Sequence, residues 1–262
     1  MLAFVLFLIC ILASSLGAIV GAGGGVIIKP ALDMLGLLPV STVSFCSGCT
    51  VLGMSVCSLI RTRKNGVKLQ VKLSTALAVG AVIGGLIGKW MFDEVRTGFG
   101  DERLLGAIQA ICLAVIMIAV FIYVCIKDRL TSMHVHNLVV AVVIGIFLGV
   151  ISSFLGIGGG PNNVAVLFFF FSMDAKEAAK NSLYIIIFSQ IASILSAIGS
   201  GTVPAFEWGN LIAMMAGGIG GALVGAFVSA RIDNKGVEKL MKLMLIIIIC
   251  IDCYNILKYT VL

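Results

Sequence analysis

Charge is what this sequence is short of. Only 11% of its 262 residues are Asp, Glu, Lys or Arg, and 60% are hydrophobic, whereas a soluble domain carries roughly 25% charged residues. A hydrated surface cannot be built from so few, which excludes a soluble globular protein. Polar stretches are also missing. No connection between apolar runs exceeds about fifteen residues, so no aqueous domain can form and any site lies between helices. Proline is scarce, at four residues against 31 glycines, the balance expected of membrane helices with close-packed or broken positions. The two histidines, His134 and His136, sit in a polar linker, far from the C-x-x-C pairs Cys46/Cys49 and Cys250/Cys253 inside apolar runs. The eight cysteines therefore read as small packing residues, and no metal or cofactor is expected. Gly84 to Trp90 reads G-G-L-I-G-K-W, without the spacing or hydroxyl of a phosphate loop, so ATP hydrolysis is not expected and the chain does not read as an enzyme. No Lys or Arg precedes the apolar run 1–15, which favours a first span over a cleaved leader. The net charge of +6 sits in short connections, where the positive-inside rule accounts for it without a nucleic-acid partner.

What is present is a series of apolar runs at about 2–22, 42–60, 70–92, 104–126, 137–156, 181–199, 210–230 and 240–259, each near the roughly twenty residues a bilayer core requires. A shift of 135 residues lays Gly21-Ala-Gly-Gly-Gly25 on Gly156-Ile-Gly-Gly-Gly160, and Cys46-Ser47 on Asn181-Ser182. A shift of 137 lays Gly80, Gly84 and Gly88 on Gly217, Gly221 and Gly225, ladders with one glycine per helical turn that suit helix packing. The chain is a duplication within a single membrane domain, with one transmembrane repeat at 1–130 and a second at 131–262.

Two shorter segments, 26–38 and 161–173, either cross or dip into the membrane. If neither crosses, Lys and Arg divide eight inside and ten outside, with no bias. If both cross, with the N-terminus outside, fourteen lie inside, Lys29 among them, and only Lys89, Arg96, Arg103 and Lys258 outside. The expected fold is an all-α polytopic membrane protein of two inverted repeats with about five crossings each. Each repeat holds a broken, glycine-rich helical segment whose turn enters the membrane.

Gly23, Gly24, Gly25 and Gly158, Gly159, Gly160 leave backbone N–H groups bare at the start of a short helix, a geometry suited to an anion; the alternative is a sharp turn with close packing. Asn162 and Asn163 offer amide donors or cap that helix. Cys46, Ser47, Asn181 and Ser182 stand at matching helix starts, where side-chain donors or hydroxyls bonded back to their own helix are the two readings. Gln190 lines a pathway or bonds across helices. Asp252, a carboxylate well inside a long apolar run, is a candidate for proton coupling or an interfacial structural residue. Lys29 has the charge to attract an anion but lies close to the expected inner face, where it sets topology, and Pro30 reads as the end or kink of its short helix.

The duplicated G-x-G-G-G, the first copy followed by Pro30, together with a serine at each downstream helix start, resembles the sulfite exporter TauE/SafE family over nearly the whole chain. Departures from that family's common pattern are Cys46 and Asn181 ahead of the serines, Pro161-Asn162-Asn163 after the second cluster, and Ala165 where the first repeat has Pro30. The resemblance implies a multi-pass secondary transporter of the bacterial inner membrane moving small anions, such as sulfite, sulfonates (for example sulfoacetate) or related organic anions. Its partners would be that anion and the lipid bilayer; a homo-oligomer stays open. A passive anion channel and an intramembrane thiol redox protein are the alternatives.

Overall fold

The computed structural model of the chain describes residues 2–64, 66–99, 102–135 and 137–260. Met1 and His136 lie outside the described residues. Ten α-helices follow in order: α1 Leu2–Val20, α2 Gly25–Leu35, α3 Val40–Arg61, α4 Val71–Phe99, α5 Glu102–Ile126, α6 Leu138–Leu155, α7 Gly160–Phe171, α8 Ala175–Gly199, α9 Trp208–Ser229 and α10 Asn234–Thr260. There is no strand among the described residues. Among the described residues, eight helices are long and apolar enough to cross a membrane. With 11 and 12 residues, α2 and α7 reach only roughly 17 and 18 Å, short of a core of about 30 Å. This is a multi-pass membrane protein. Its burial pattern agrees: Phe4, Leu12, Val139 and Phe147 are exposed while Ser47, Thr50, Asn181 and Ser182 are wholly buried, the distribution a lipid-facing surface requires.

The glycine ladders explain how the halves join. A Cβ on Gly80, Gly84 or Gly88 of α4 would run into the carbonyl oxygens of Val142, Ile146 and Val150 on α6. On α9, Gly217, Gly221 and Gly225 meet the carbonyls of Phe7, Ile11 and Ser15 on α1 in the same way. Backbones this close forbid any side chain, which is why the spacing is four. The first half's α1 thus packs on the second half's α9, and the second half's α6 on the first half's α4; α3 and α8 also pack together, as do α5 and α10.

Polar contacts gather at the two ends of the bundle. At the basic end, Lys180 Nζ donates to the carbonyls of Thr62 and Val67 at 3.1 and 2.8 Å. Asn181 Oδ1 accepts from Gln70 N and Ser74 Oγ. Lys127 pairs with Glu238, and the amides of Met133 and Val135 donate to Phe169 and Phe170. At the far end, Thr42 Oγ1 donates to Ala205 O, Lys258 Nζ caps the Asp33 and Met34 carbonyls, and Phe45 meets Phe206 with centroids 5.6 Å apart. Joining Lys180 to Val67 requires that α7 complete a traverse of the bundle, because with α4, α5 and α6 also between them a dip by α7 would leave the start of α8 and the α3–α4 connection at opposite ends. The ladder sets α1 parallel to α9, so α1 ends toward the basic end, and α2 leads from there to the far end at Lys258.

Two expectations are corrected here. Lys29 is not an inner-face residue: it is 3% exposed and paired with Asp33 at 2.9 Å inside the protein. Without it, the basic residues divide thirteen to four. Pro30 does not end its helix, since α2 runs on to Leu35 and the Pro30 carbonyl accepts a hydrogen bond from Asn255. At the sixth position of the helix its ring costs one intrahelical bond.

Candidate functional site

The two glycine turns meet at the centre of the bundle. Gly21 and Gly23, and in the second turn Gly158, Gly159 and Gly160, hold positive φ, a conformation that side chains resist. The first turn folds back along α1: a Cβ on Gly17 would strike the backbone of Gly23 and Gly24, and one on Gly24 would sit 2.7 Å from Ser14 Oγ. Ser14 lies six residues before the end of α1, so α2 begins about 9 Å back inside the bundle. The turns also touch each other. Gly25 abuts the Ile157 carbonyl and Gly160 abuts Val26, while Gly23 and Gly158 both face Val51 of α3, and Gly23 and Gly159 both face Ile186 of α8. Val51 and Ile186 are themselves 135 residues apart.

Around this floor stand buried polar groups without partners. Asn162 is 5% exposed with neither side-chain atom bonded, Asn163 Oδ1 is unbonded, and the hydroxyls of Ser47 and Ser182 are wholly buried and free. Ser47 lies one helical turn before Val51, and Ser182 one turn before Ile186, on the same faces. Unsatisfied buried groups cost about 1–3 kcal/mol each, so their concentration at the glycine turns calls for a ligand or water to bond them. Cys46 is also buried at this level, its carbonyl accepting from Thr50. Two residues singled out in the sequence are elsewhere. Asn181 is occupied at the basic end, tying the start of α4 to α8, and Asp252 lies between α2, α5 and α10.

Next to the second turn opens a cleft of about 50 Å³, lined by Gly156 and lying beside the connection between α8 and α9. Gln190 reaches it from α8 and lies against both Gly48 and Gly158. The rest of the polar lining is Ser41, Ser44, Ser152, Ser153, Ser193, Thr202 and Lys89, with no carboxylate among the described residues. Lys89 pairs with Asp93 at 2.6 Å, so the wall offers neutral hydroxyl and amide donors and one partly neutralised cation. Sequence reasoning missed these serines. The available signal was hydroxyls one turn apart in an apolar run, as at Ser41 and Ser44, and doubled just before the second glycine turn, as at Ser152 and Ser153.

Over residues 6–251 the sequence matches the sulfite exporter TauE/SafE family. The chain belongs to this family. A relative in Bacillus subtilis (strain 168), named a probable membrane transporter protein YunE, is 21% identical over 273 residues, covering 94% of this chain and 95% of its own. No solved structure matches. Membership places the chain among membrane transporter proteins, and the cleft with its glycine floor is the candidate site within this TauE/SafE architecture.

Proposed function

We propose that the chain is a secondary transporter that moves small anions, namely sulfite, sulfonates such as sulfoacetate or related organic anions, by alternating access between two inverted halves. The observation that carries this reading is the meeting of both glycine turns at Val51 and Ile186, next to a polar cleft that reaches the second turn at Gly156 and through Gln190 and has no carboxylate among the described residues of its lining. Two helix N-termini enter there, from opposite directions in the inverted arrangement, and N–H groups at a helix start favour negative charge, that of Gly24 being spent on Met54 Sδ at 3.1 Å. Ser47, Ser182, Asn162, Asn163 and Gln190 add side-chain donors, and a tetrahedral oxyanion uses several such donors at once. Inversion is supported by the crosswise pairing of α1 with α9 and α6 with α4, and by the thirteen-to-four division of basic residues, which puts the basic end in the cytoplasm. The cleft opens at the far end, and at the basic end Lys180, bonded to Thr62 and Val67, lines a second cavity of about 180 Å³ that reaches Ala179 and Leu183. Alternating access then exchanges which of the two connects with the turns.

The test is binding of sulfite, sulfoacetate, acetate and chloride to purified protein by thermal shift and calorimetry, followed by flux in proteoliposomes. Selective stabilisation by a sulfur oxyanion with saturable flux is expected. No shift with any anion removes the anion site, and unsaturable conductance replaces the carrier with a channel.

A further inference from the structure

We propose that Asp252, Asp33 and Lys29, wedged between α10 and α2, form a proton site whose loading is coupled to the anion cleft, so that anion and proton move together. This rests on the anion-transport reading above. Asp252 is 1% exposed and neither of its carboxylate oxygens has a partner. It lines a small cavity of about 10 Å³ with Lys29, Asp33, Gln109 and Asn255. Lys29 Nζ donates to Asp33 Oδ2 and to Gln109 Oε1, both at 2.9 Å, while Asp33 Oδ1 is unbonded. The charges facing Asp252 are therefore Lys29 and Asp33 from α2, whereas α5 presents the neutral Gln109. On α10 itself, Lys258 is spent on the Asp33 and Met34 carbonyls.

One cation against two carboxylates leaves a net negative charge in an apolar interior, which is strongly unfavourable. A single proton makes the group neutral: a carboxylate oxygen takes H⁺ from water, forming an O–H bond, and releases it by the reverse step. Asn255 Oδ1, one turn along α10 and unbonded, is an acceptor for that O–H, while its amide holds the Pro30 carbonyl at 2.9 Å.

The link to the cleft is direct. Gln109 also donates to the Phe154 carbonyl at 2.6 Å, in the last turn of α6 before the second glycine turn. Lys29 Cε lies 3.2 Å from where a Cβ of Gly156 would stand, and Gly156 lines the cleft. An anion at the turns disfavours the negative state of the cluster and favours the neutral one. By reciprocity, loading the proton strengthens anion binding.

Infrared titration of the purified protein should show a pH-dependent protonated-carboxyl band that is absent in Asp252→Asn. Its absence from the wild type overturns the proton site. In proteoliposomes the probe is methanesulfonate, the anion of a strong acid that carries no proton itself. A methanesulfonate gradient should drive proton entry with the anion in the wild type and not in D252N. Gln109→Leu should keep the carboxyl band but lower the number of protons moved per anion, which a merely structural role would not do. Anion flux without proton movement in the wild type, or proton movement that persists in D252N, overturns the coupling while leaving anion transport in place. A carboxyl band with no flux or binding of any anion overturns the transport reading and the coupling with it, leaving only the proton site.

Discussion

A single methyl group at Gly25 tests whether the two glycine turns touch. Gly25 is the first residue of α2 and does not have positive φ, so Gly25→Ala brings no backbone strain and gains up to about 1 kcal/mol in helix propensity. Its Cβ, however, would stand 2.6 Å from the Ile157 carbonyl oxygen and 2.7 Å from Val51 Cγ2, where ordinary contact begins at 3.4 Å. The valine can shift, but the carbonyl belongs to the backbone of the opposite turn. The turns must therefore part by about 0.8 Å, the difference between 3.4 and 2.6 Å, and overpacking of this kind costs roughly 1–3 kcal/mol. Gly53→Ala on α3 is the control, because its Cβ would meet Ile219 and Met215 at 3.7 Å or more while gaining the full propensity of an interior position. Gly25 opens its helix and gains less, so Gly25→Ala should be less stable than Gly53→Ala by at least about 1–3 kcal/mol, or five- to more than a hundredfold in the unfolding equilibrium. It should also lose most anion flux. Denaturant titration in detergent and proteoliposome flux read both effects. Equal stability of the two variants, with wild-type flux in Gly25→Ala, would refute the convergence of the turns.

For topology, single cysteines replacing the exposed Lys68 and Ala205 on a cysteine-free background should differ, with only the one at 205 reacting with an impermeant thiol reagent from outside. Reaction at both or neither rules out inverted halves. Ser47→Ala and Ser182→Ala each remove a buried, unbonded hydroxyl, so each variant should match or exceed wild-type stability while binding the anion about tenfold more weakly. Unchanged affinity by calorimetry removes these hydroxyls from the site. A chain lacking all eight cysteines should transport at wild-type rates; loss of flux that returns with Cys46 and Cys49 would instead favour thiol chemistry.

The long helices were legible because one apolar run of membrane length has one structural outcome, and the ladders because a glycine at every turn has little use except close backbone approach. The partners of the ladders were not legible, since any helix supplies carbonyls and only the fold places α9 on α1. At the site, the glycine clusters and Ser47 and Ser182 could be found by repetition. The serines of the cleft come from α3, α6 and α8; spacing groups Ser41 with Ser44 and Ser152 with Ser153, but only the fold brings these pairs and Ser193 to one wall. Asn181 misled for the opposite reason. It matches Cys46 by register, but its partners Gln70 and Ser74 lie more than a hundred residues away. Lys29 looked peripheral because sequence gives the length of the short segment but not that it leads inward from the glycine turn.

The crosswise ladders bear on how the protein is made. As ribosomes insert the chain, α1 emerges first, yet the glycines that cover its carbonyls at Phe7, Ile11 and Ser15 lie on α9, some two hundred residues later. Until then α1 sits in lipid without its closest neighbour, and α4 waits likewise for α6. Assembly is therefore a late, long-range event. A chain interrupted before Trp208 leaves the first half loosely packed, and the halves made as two separate polypeptides should accumulate only when produced together.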